Sequence, residues 1–316
     1  MSATRPEIAA PEAALELHIS PRAQTAPPLG QPARREVLLA RLSRVKWGVV
    51  ALGVMLLIAA SAVLAPWIAP HNPLAVDIRN RLAPPSWMEG GSARHPLGTD
   101  QIGRDLLSRV IYGGRVSLLI GVTAVGISAT IGVLLGLGAG YFGGSLDAVI
   151  TTLVNVMLSF PFVLLALAVV AVLGASLINM IAVLGVAGWP IYTRVIRAET
   201  LAIREREFVT AGRALGMSHR RIVFRQILPN LGSVIVVIAT LQVAQVIILE
   251  SFLSFLGLGI QPPTPAWGNM LGEGRVYMLN SWWIAAFPGL AIFITTLTIN
   301  LIGNGLRDWL DPHLTL

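Results

Sequence analysis

Residues 116–141 read VSLLIGVTAVGISATIGVLLGLGAGY, a stretch with no charged side chain. A run of about 18 or more apolar residues is long enough to cross a bilayer's hydrocarbon core as a helix, so this stretch is expected to be a membrane span. Within it Gly132, Gly136 and Gly140 recur at four-residue spacing. Small residues at that interval flatten one helix face, and the spacing therefore predicts a close helix–helix contact.

Working outward, further runs of the same kind lie at about 47–69, 149–173, 177–195, 231–256 and 283–303. Each has a natural boundary: Pro70, the turn Gly174-Ala175-Ser176, the stretch Leu256-Gly257-Leu258-Gly259, and Gly303-Asn304-Gly305, with Gly143-Gly144 closing the quoted span. The expected fold is thus all-α, a polytopic membrane protein with six transmembrane helices. Composition agrees: 54% of the 316 residues are hydrophobic and 12% charged, against roughly a quarter charged in soluble domains. Residues 1–45 are expected to form a largely disordered tail rich in Ala, Pro and Glu, and the first span, 46–70, lies too deep in the chain to be a cleaved secretory signal. Residues 71–115 are expected to be an external loop with a short interfacial helix, 116–305 a five-helix core, and 306–316 a C-terminal tail.

The net charge of +7 comes almost wholly from arginine, Lys46 being the only lysine. Arg34, Arg35, Arg41, Arg44 and Lys46 precede the first span, and Arg194, Arg197, Arg204, Arg206, Arg213, Arg220, Arg221 and Arg225 cluster between the fourth and fifth. The positive-inside rule puts both regions, and both termini, in the cytoplasm. Basic excess that follows topology in this way argues against a nucleic-acid partner. The external loop 71–115 resists the scheme, because it carries Arg79, Arg81, Arg94, Arg104, Arg109 and Arg115. Trp267, Trp282 and Trp283 are expected at the outer interface, where indole rings favour the headgroup region.

Between the fourth and fifth spans, residues 203–215 have helix-compatible composition, with Phe208, Ala211, Gly212 and Leu215 on one face. Gly216 is a natural stop, Ser218 can cap a second short helix, and Leu228-Pro229 forces a break before the fifth span. A short exposed amphipathic helix held between two spans suits docking into a groove on a partner. The pattern Ala211-Gly212-x-x-x-Gly216 followed by Leu228-Pro229 resembles the cytoplasmic loop of permeases in ATP-binding-cassette importers, with Thr210-Ala211-Gly212 where the common motif begins Glu-Ala-Ala. His95-Pro96-Leu97-Gly98-Thr99-Asp100-Gln101-Ile102-Gly103-Arg104-Asp105, Leu253–Gly259, Gln261–Gly268, Gly305–Asp308 and Asp311-Pro312 are similar to segments of the dipeptide/oligopeptide subfamily, in particular its second permease. The resemblance implies a type I importer permease fold. It also implies that loop 197–230 couples to separate ATPase subunits through Glu207, Ala211, Gly212, Gly216, Leu228 and Pro229. The implied partners are a second homologous permease, two ATPases, an external substrate-binding protein and membrane lipid. The implied substrates are di- or oligopeptides, with glutathione or nickel complexes as alternatives on the same architecture.

Several other functions are excluded or disfavoured. A phosphate loop needs Gly-Lys-Ser/Thr, and Lys46 follows Val45, so ATP hydrolysis is expected in other subunits. There is no G-x-S-x-G elbow or H-E-x-x-H pair, so no catalytic residue is assigned. Gly136-Leu137-Gly138-Ala139-Gly140 lies inside a span with no preceding strand and is not a nucleotide loop. Without cysteine, and with five scattered histidines, no metal site and no cofactor are expected. Asn155 and Ser159, beside Pro161, and Glu250 near the outer end of the fifth span are candidates for the translocation path or a binding-protein contact, with local packing as the alternative. A reading from a different class, an autonomous channel or ion-driven transporter, predicts charges or broken spans at mid-membrane.

Overall fold

A computed structural model describes residues 34–310, with side chains from Trp47 onward. Of the tail expected over 1–45, residues from 34 onward are helical instead; the residues before 34 and the Asp311-Pro312 ending lie outside the described residues. All the packing discussed belongs to the second of two units, Arg44–Leu316, the first being Met1–Ser43. Among the described residues every regular element is helical, apart from a lone β-bridge between Thr99 and Asp105.

The chain opens with α1, Arg34–Val63, and a single turn α2, Ala65–Ile68. A loop containing one 3₁₀ turn, Ile78–Asn80, leads to α3, Leu106–Phe142. Then follow α4, Gly144–Ser159; α5, Phe162–Leu173; α6, Leu177–Arg204; α7, Glu207–Ala214; and α8, His219–Ile222. A π-helical turn, Val223–Ile227, joins α8 to α9, Leu228–Asn230, and the chain ends with α10, Gly232–Phe255; α11, Trp267–Gly274; and α12, Trp283–Leu310. Four helices, α3, α6, α10 and α12, are long and apolar enough to span a membrane; α4 and α5 make a fifth if counted as one broken span. The apolar part of α1, Trp47–Val63, is shorter, covering about 25 Å at 1.5 Å per residue against a hydrocarbon core of about 30 Å.

Three of the departures from the expected boundaries have a clear local reason. α3 starts at Leu106 instead of 116, because Asp105 caps it: its carboxylate accepts the backbone N–H of Ser108 at 2.8 Å and the Ser108 hydroxyl at 2.7 Å. The third span is not one rod. Phe160 is extended and Pro161 opens a new helix, so α4 and α5 meet at 83°. α12 does not stop at Gly303-Asn304-Gly305 but continues to Leu310. Gly303 is there for packing: a Cβ at this position would lie 2.9 Å from Leu241 Cδ2 on α10.

The centre of the bundle is the crossing of α3 and α6. A Cβ on Gly132 would sit 2.4 Å from Tyr192 Cβ, one on Gly136 2.8 Å from Ile196 Cβ, and one on Gly140 2.7 Å from Thr200 Cβ. The three glycines and their three opposing residues both step by four, so the two backbones run side by side over two turns. Gly188 on α6 returns the arrangement, its absent Cβ facing Ser128 Oγ at 2.4 Å, and Ser128 donates its hydroxyl to the Gly185 carbonyl at 2.6 Å. α10 packs on the same α3, where Gly121 meets Val243 and Ile247. The expected helix-packing face is therefore present.

Gly138 provides an internal control, since a Cβ there would find only Leu146 at 3.9 Å. Gly136→Ala is expected to lower stability by about 1–3 kcal/mol through overpacking. Gly138→Ala is expected to raise it by about 0.5–1 kcal/mol through reduced unfolded-state entropy and better helix propensity. Thermal unfolding of the detergent-solubilised chain reads both changes.

Candidate functional site

The loop that leaves α6 is rigid for reasons visible in its own residues. α6 stops at Arg204, whose guanidinium donates to the Gly140 carbonyl at 2.9 Å and to Glu205 Oε1 at 2.8 Å. α7 begins at once and ends on Gly216, which adopts φ +74°. Its last turn closes with Met217 N–H donating to Gly212 O and Gly216 N–H to Arg213 O, both at 3.0 Å, the pair of bonds that ends a helix in a left-handed residue. Ser218 caps α8 by accepting the Arg221 N–H at 3.4 Å. The loop's inward side, Val209, Ile222, Val223, Ile227 and Leu231, joins Val133, Leu137, Tyr141, Ile196 and Ile203 in one buried cluster.

Of the residues assigned to coupling, Gly212 is buried, and a Cβ there would press on the Gln226 amide at 3.0 Å and Met217 Sδ at 3.2 Å. Glu207, Ala211 and Gly216 are exposed on α7 and its stop, while Leu228 and Pro229 form the first turn of α9. The apolar face differs from the expected one. Val209 is the residue turned inward, whereas Phe208 is 39% and Leu215 83% exposed. The structure also fastens α7 to the end of α3: Arg213 lies over the Tyr141 ring at 5.4 Å, and the Tyr141 hydroxyl bonds His219 Nδ1 at 2.8 Å.

A second feature runs along α4. Asp147, Thr151, Asn155 and Ser159 are spaced by four, so they form one polar stripe. Asp147 accepts a bidentate pair from Arg197 of α6, Asn155 Oδ1 accepts from Arg194 Nη2 at 3.0 Å, and Ser159 donates to the Asn155 carbonyl at 2.8 Å. Asn155 and Ser159 are exposed. Glu250 is not: it is fully buried, its carboxylate accepting from Ser254 Oγ at 2.8 Å and from Ser117 and Ser251 Oγ at 3.4 Å. Its carboxylate is thus enclosed by hydroxyls of α3 and α10. Ser251 and Ser254 also receive Gly268 and Gly259 at contact too close for any Cβ, which accounts for the glycines of the two loop motifs.

At the Leu106 end of α3 lies a buried ion cluster that sequence reasoning missed. Asp100 Oδ2 accepts Arg104 Nε at 2.6 Å and also pairs with Arg109; Glu273 Oε2 from α11 accepts Arg104 Nη2, Arg109 Nη1 and Gln101 Nε2 at 2.9, 2.9 and 3.0 Å. The Asp100 side chain is wholly enclosed and that of Arg109 is 1% exposed. Two arginines thus offset two carboxylates, which accounts for two of the six arginines of loop 71–115: these two charges are internal partners of Asp100 and Glu273. Trp267 and Trp283 are likewise interior, contrary to the expected interfacial belt. Their indole N–H groups donate to the Val110 carbonyl at 2.8 Å and the Thr99 carbonyl at 3.3 Å, while Trp282 stays 42% exposed. Nearby, Asp77 accepts from the Asn80 side-chain amide and from the Arg79 backbone N–H, which hold its carboxyl below the usual range.

Residues 132–316 match the model of the binding-protein-dependent transport system inner membrane component, and residues 35–85 match that of the N-terminal TM domain of oligopeptide transport permease C. The chain belongs to the first of these families. As a member, the permease is a multi-pass inner-membrane transport component and not an enzyme. It is 47% identical to the di/tripeptide transport system permease protein DppC of Pseudomonas aeruginosa over 82% of this chain and 86% of that one. It is 46% identical to the dipeptide transport system permease protein DppC of Escherichia coli, covering 86% and 90%, and 40% identical to that organism's probable D,D-dipeptide transport system permease protein DdpC, covering 82% and 85%. The permease's fold matches a chain of the inward-facing MetNI methionine ABC transporter with a TM-score of 0.52, at 18% identity, over 65% of this chain and 98% of that chain.

Removing one partner from the buried ion cluster strands the others. Arg109→Ala in the permease is expected to cost about 3–5 kcal/mol, read as a lowered melting temperature and reduced yield of folded protein. The exposed Arg94→Ala is expected to leave the melt unchanged.

Proposed function

We propose that this chain is one of two permease subunits that together enclose the translocation path of an ATP-binding-cassette importer for di- and oligopeptides. Two separate ATPase subunits dock on residues 204–220, and an external substrate-binding protein delivers the peptide. The observation that carries the reading is the loop's two-sidedness. Its inner residues are locked into the same buried cluster as α3 and α6, while Leu215 is 83% exposed and Phe208 39% exposed on its outer side. An exposed apolar pair on a short, rigidly held helix fits a groove on a partner, and force applied there reaches the spans through Val209, Tyr141 and Ile203. Peptide as substrate rests on what the relatives' names say they carry. The exposed polar stripe of α4, with Asn155 and Ser159, supports a path-lining role for that helix. Glu250 is given none. The arginines of the loop and those preceding the apolar stretch that starts at Trp47 support a cytoplasmic location for both termini.

The test uses the complete transporter reconstituted with its ATPases and binding protein. Leu215→Asp and Gly216→Asp are expected to abolish dipeptide uptake while the chain still inserts and pairs with its partner permease. ATPase co-purification should fall at least tenfold for Leu215→Asp. Normal uptake by both variants would refute the coupling role, and uptake persisting without ATPase subunits would point to an ion-driven transporter instead.

A further inference from the structure

The loop between α2 and α3 brings together three side chains that are scattered in the sequence. His95 Nδ1 lies 2.9 Å from Asp105 Oδ1, and His71 Nδ1 lies 3.7 Å from the same oxygen. One ligand-type atom from each residue falls within 4.8 Å of the other two. The imidazole rings stack at 4.7 Å between centroids, tilted by 34°. His71 Nδ1 is buried with no hydrogen-bond partner, an arrangement that costs free energy unless something binds there.

We propose that His71, His95 and Asp105 form a site for a divalent late first-row cation of the zinc type. The donor set decides the class: two imidazole nitrogens with one carboxylate oxygen suit Zn²⁺, and also Ni²⁺ or Cu²⁺, in preference to Mg²⁺ or Ca²⁺, which take all-oxygen shells. Donors around a tetrahedral zinc at about 2.0–2.1 Å stand roughly 3.3 Å apart, and the two His–Asp separations, 2.9 and 3.7 Å, bracket that value. The site has a supporting shell as well. Asp105 Oδ2 is held by the Ser108 N–H and hydroxyl, leaving Oδ1 for the ion, and the Ser108 hydroxyl also accepts the His71 backbone N–H at 3.0 Å. Metal sites require their ligating side chains to be held in this way. The three residues open on a cavity of about 510 Å³ that Asn72, Asp77, Asn80 and Arg94 also line, leaving room for a water as fourth ligand. Binding replaces the His95–Asp105 hydrogen bond with a bond from each side chain to the ion. The ion clips the segment after α2, the turn at His95 and the cap of α3 to one another. This inference does not depend on the importer reading.

The experiment titrates Zn²⁺ into the full-length chain, purified without a polyhistidine tag, stripped with chelator and held in nanodiscs. One equivalent is expected to bind per chain, about 100-fold more weakly in His71→Ala, with His71→Cys restoring affinity to within about tenfold of the parent. Co²⁺ in its place should give the intense visible absorption of a four-coordinate ion in the unmodified chain, a readout that does not rely on any variant folding. A parent chain that takes up no zinc, or one whose affinity and cobalt spectrum match those of His71→Ala, would overturn the site.

Discussion

Close backbone approach between α3 and α6 is the constraint on which the rest of the structure depends. Gly132, Gly136 and Gly140 let Tyr192, Ile196 and Thr200 settle directly onto the α3 backbone. In lipid no water-driven force holds two helices together, and association comes from dispersion contacts and hydrogen bonds at short range. A seam of glycines supplies the first, and the Ser128–Gly185 and Thr193–Gly132 bonds supply the second. α10 then packs against α3 through Gly121, and α12 against α10 through Gly303. Each layer uses the same device of a missing side chain.

The two ends of this bundle are organised differently. At the Leu106 end polar chemistry dominates: the arginines and acids around Asp100, the capping role of Asp105, and indole N–H groups satisfied by backbone carbonyls. Burying such charges is tolerable only when every one is paired, which the Asp100–Arg104–Arg109–Glu273 cluster achieves by closing on itself. At the Phe142 end the contacts are mainly apolar, with Val209, Ile222 and Ile227 seated among residues of α3 and α6. The first arrangement gives a fixed frame. The second gives a surface on which a small docked helix stays firmly attached to the spans.

Much of this was readable in the residues, and the exceptions share a cause. Periodicity and run length revealed α3, α6, α10 and α12, and glycine spacing revealed the α3 packing face, because both are local properties of the chain. Gly216 and Ser218 announced the loop's turn and cap for the same reason. What stayed hidden were partnerships across distance. Nothing in the sequence marks Glu273 as the acid that Arg104 and Arg109 need, or says that Trp267 finds Val110 in place of a headgroup. The 83° break at Pro161 lies inside what the sequence shows as one apolar run, 149–173. Glu250 shows the limit well: nothing in the sequence says that Ser117, Ser251 and Ser254 surround its carboxylate.

α3 has 37 residues, which makes it about 55 Å long, well beyond the roughly 30 Å of a bilayer's hydrocarbon core. One end is clamped by Asp105 and the ion cluster, and the other carries Tyr141, which bonds His219 and supports Arg213. Held at one end, a rod of this length has the geometry of a lever. A tilt of about 5° at the clamped end sweeps the far end through about 5 Å, roughly one helical turn. A rod of this length gives small angular changes a reach that neither end could produce alone.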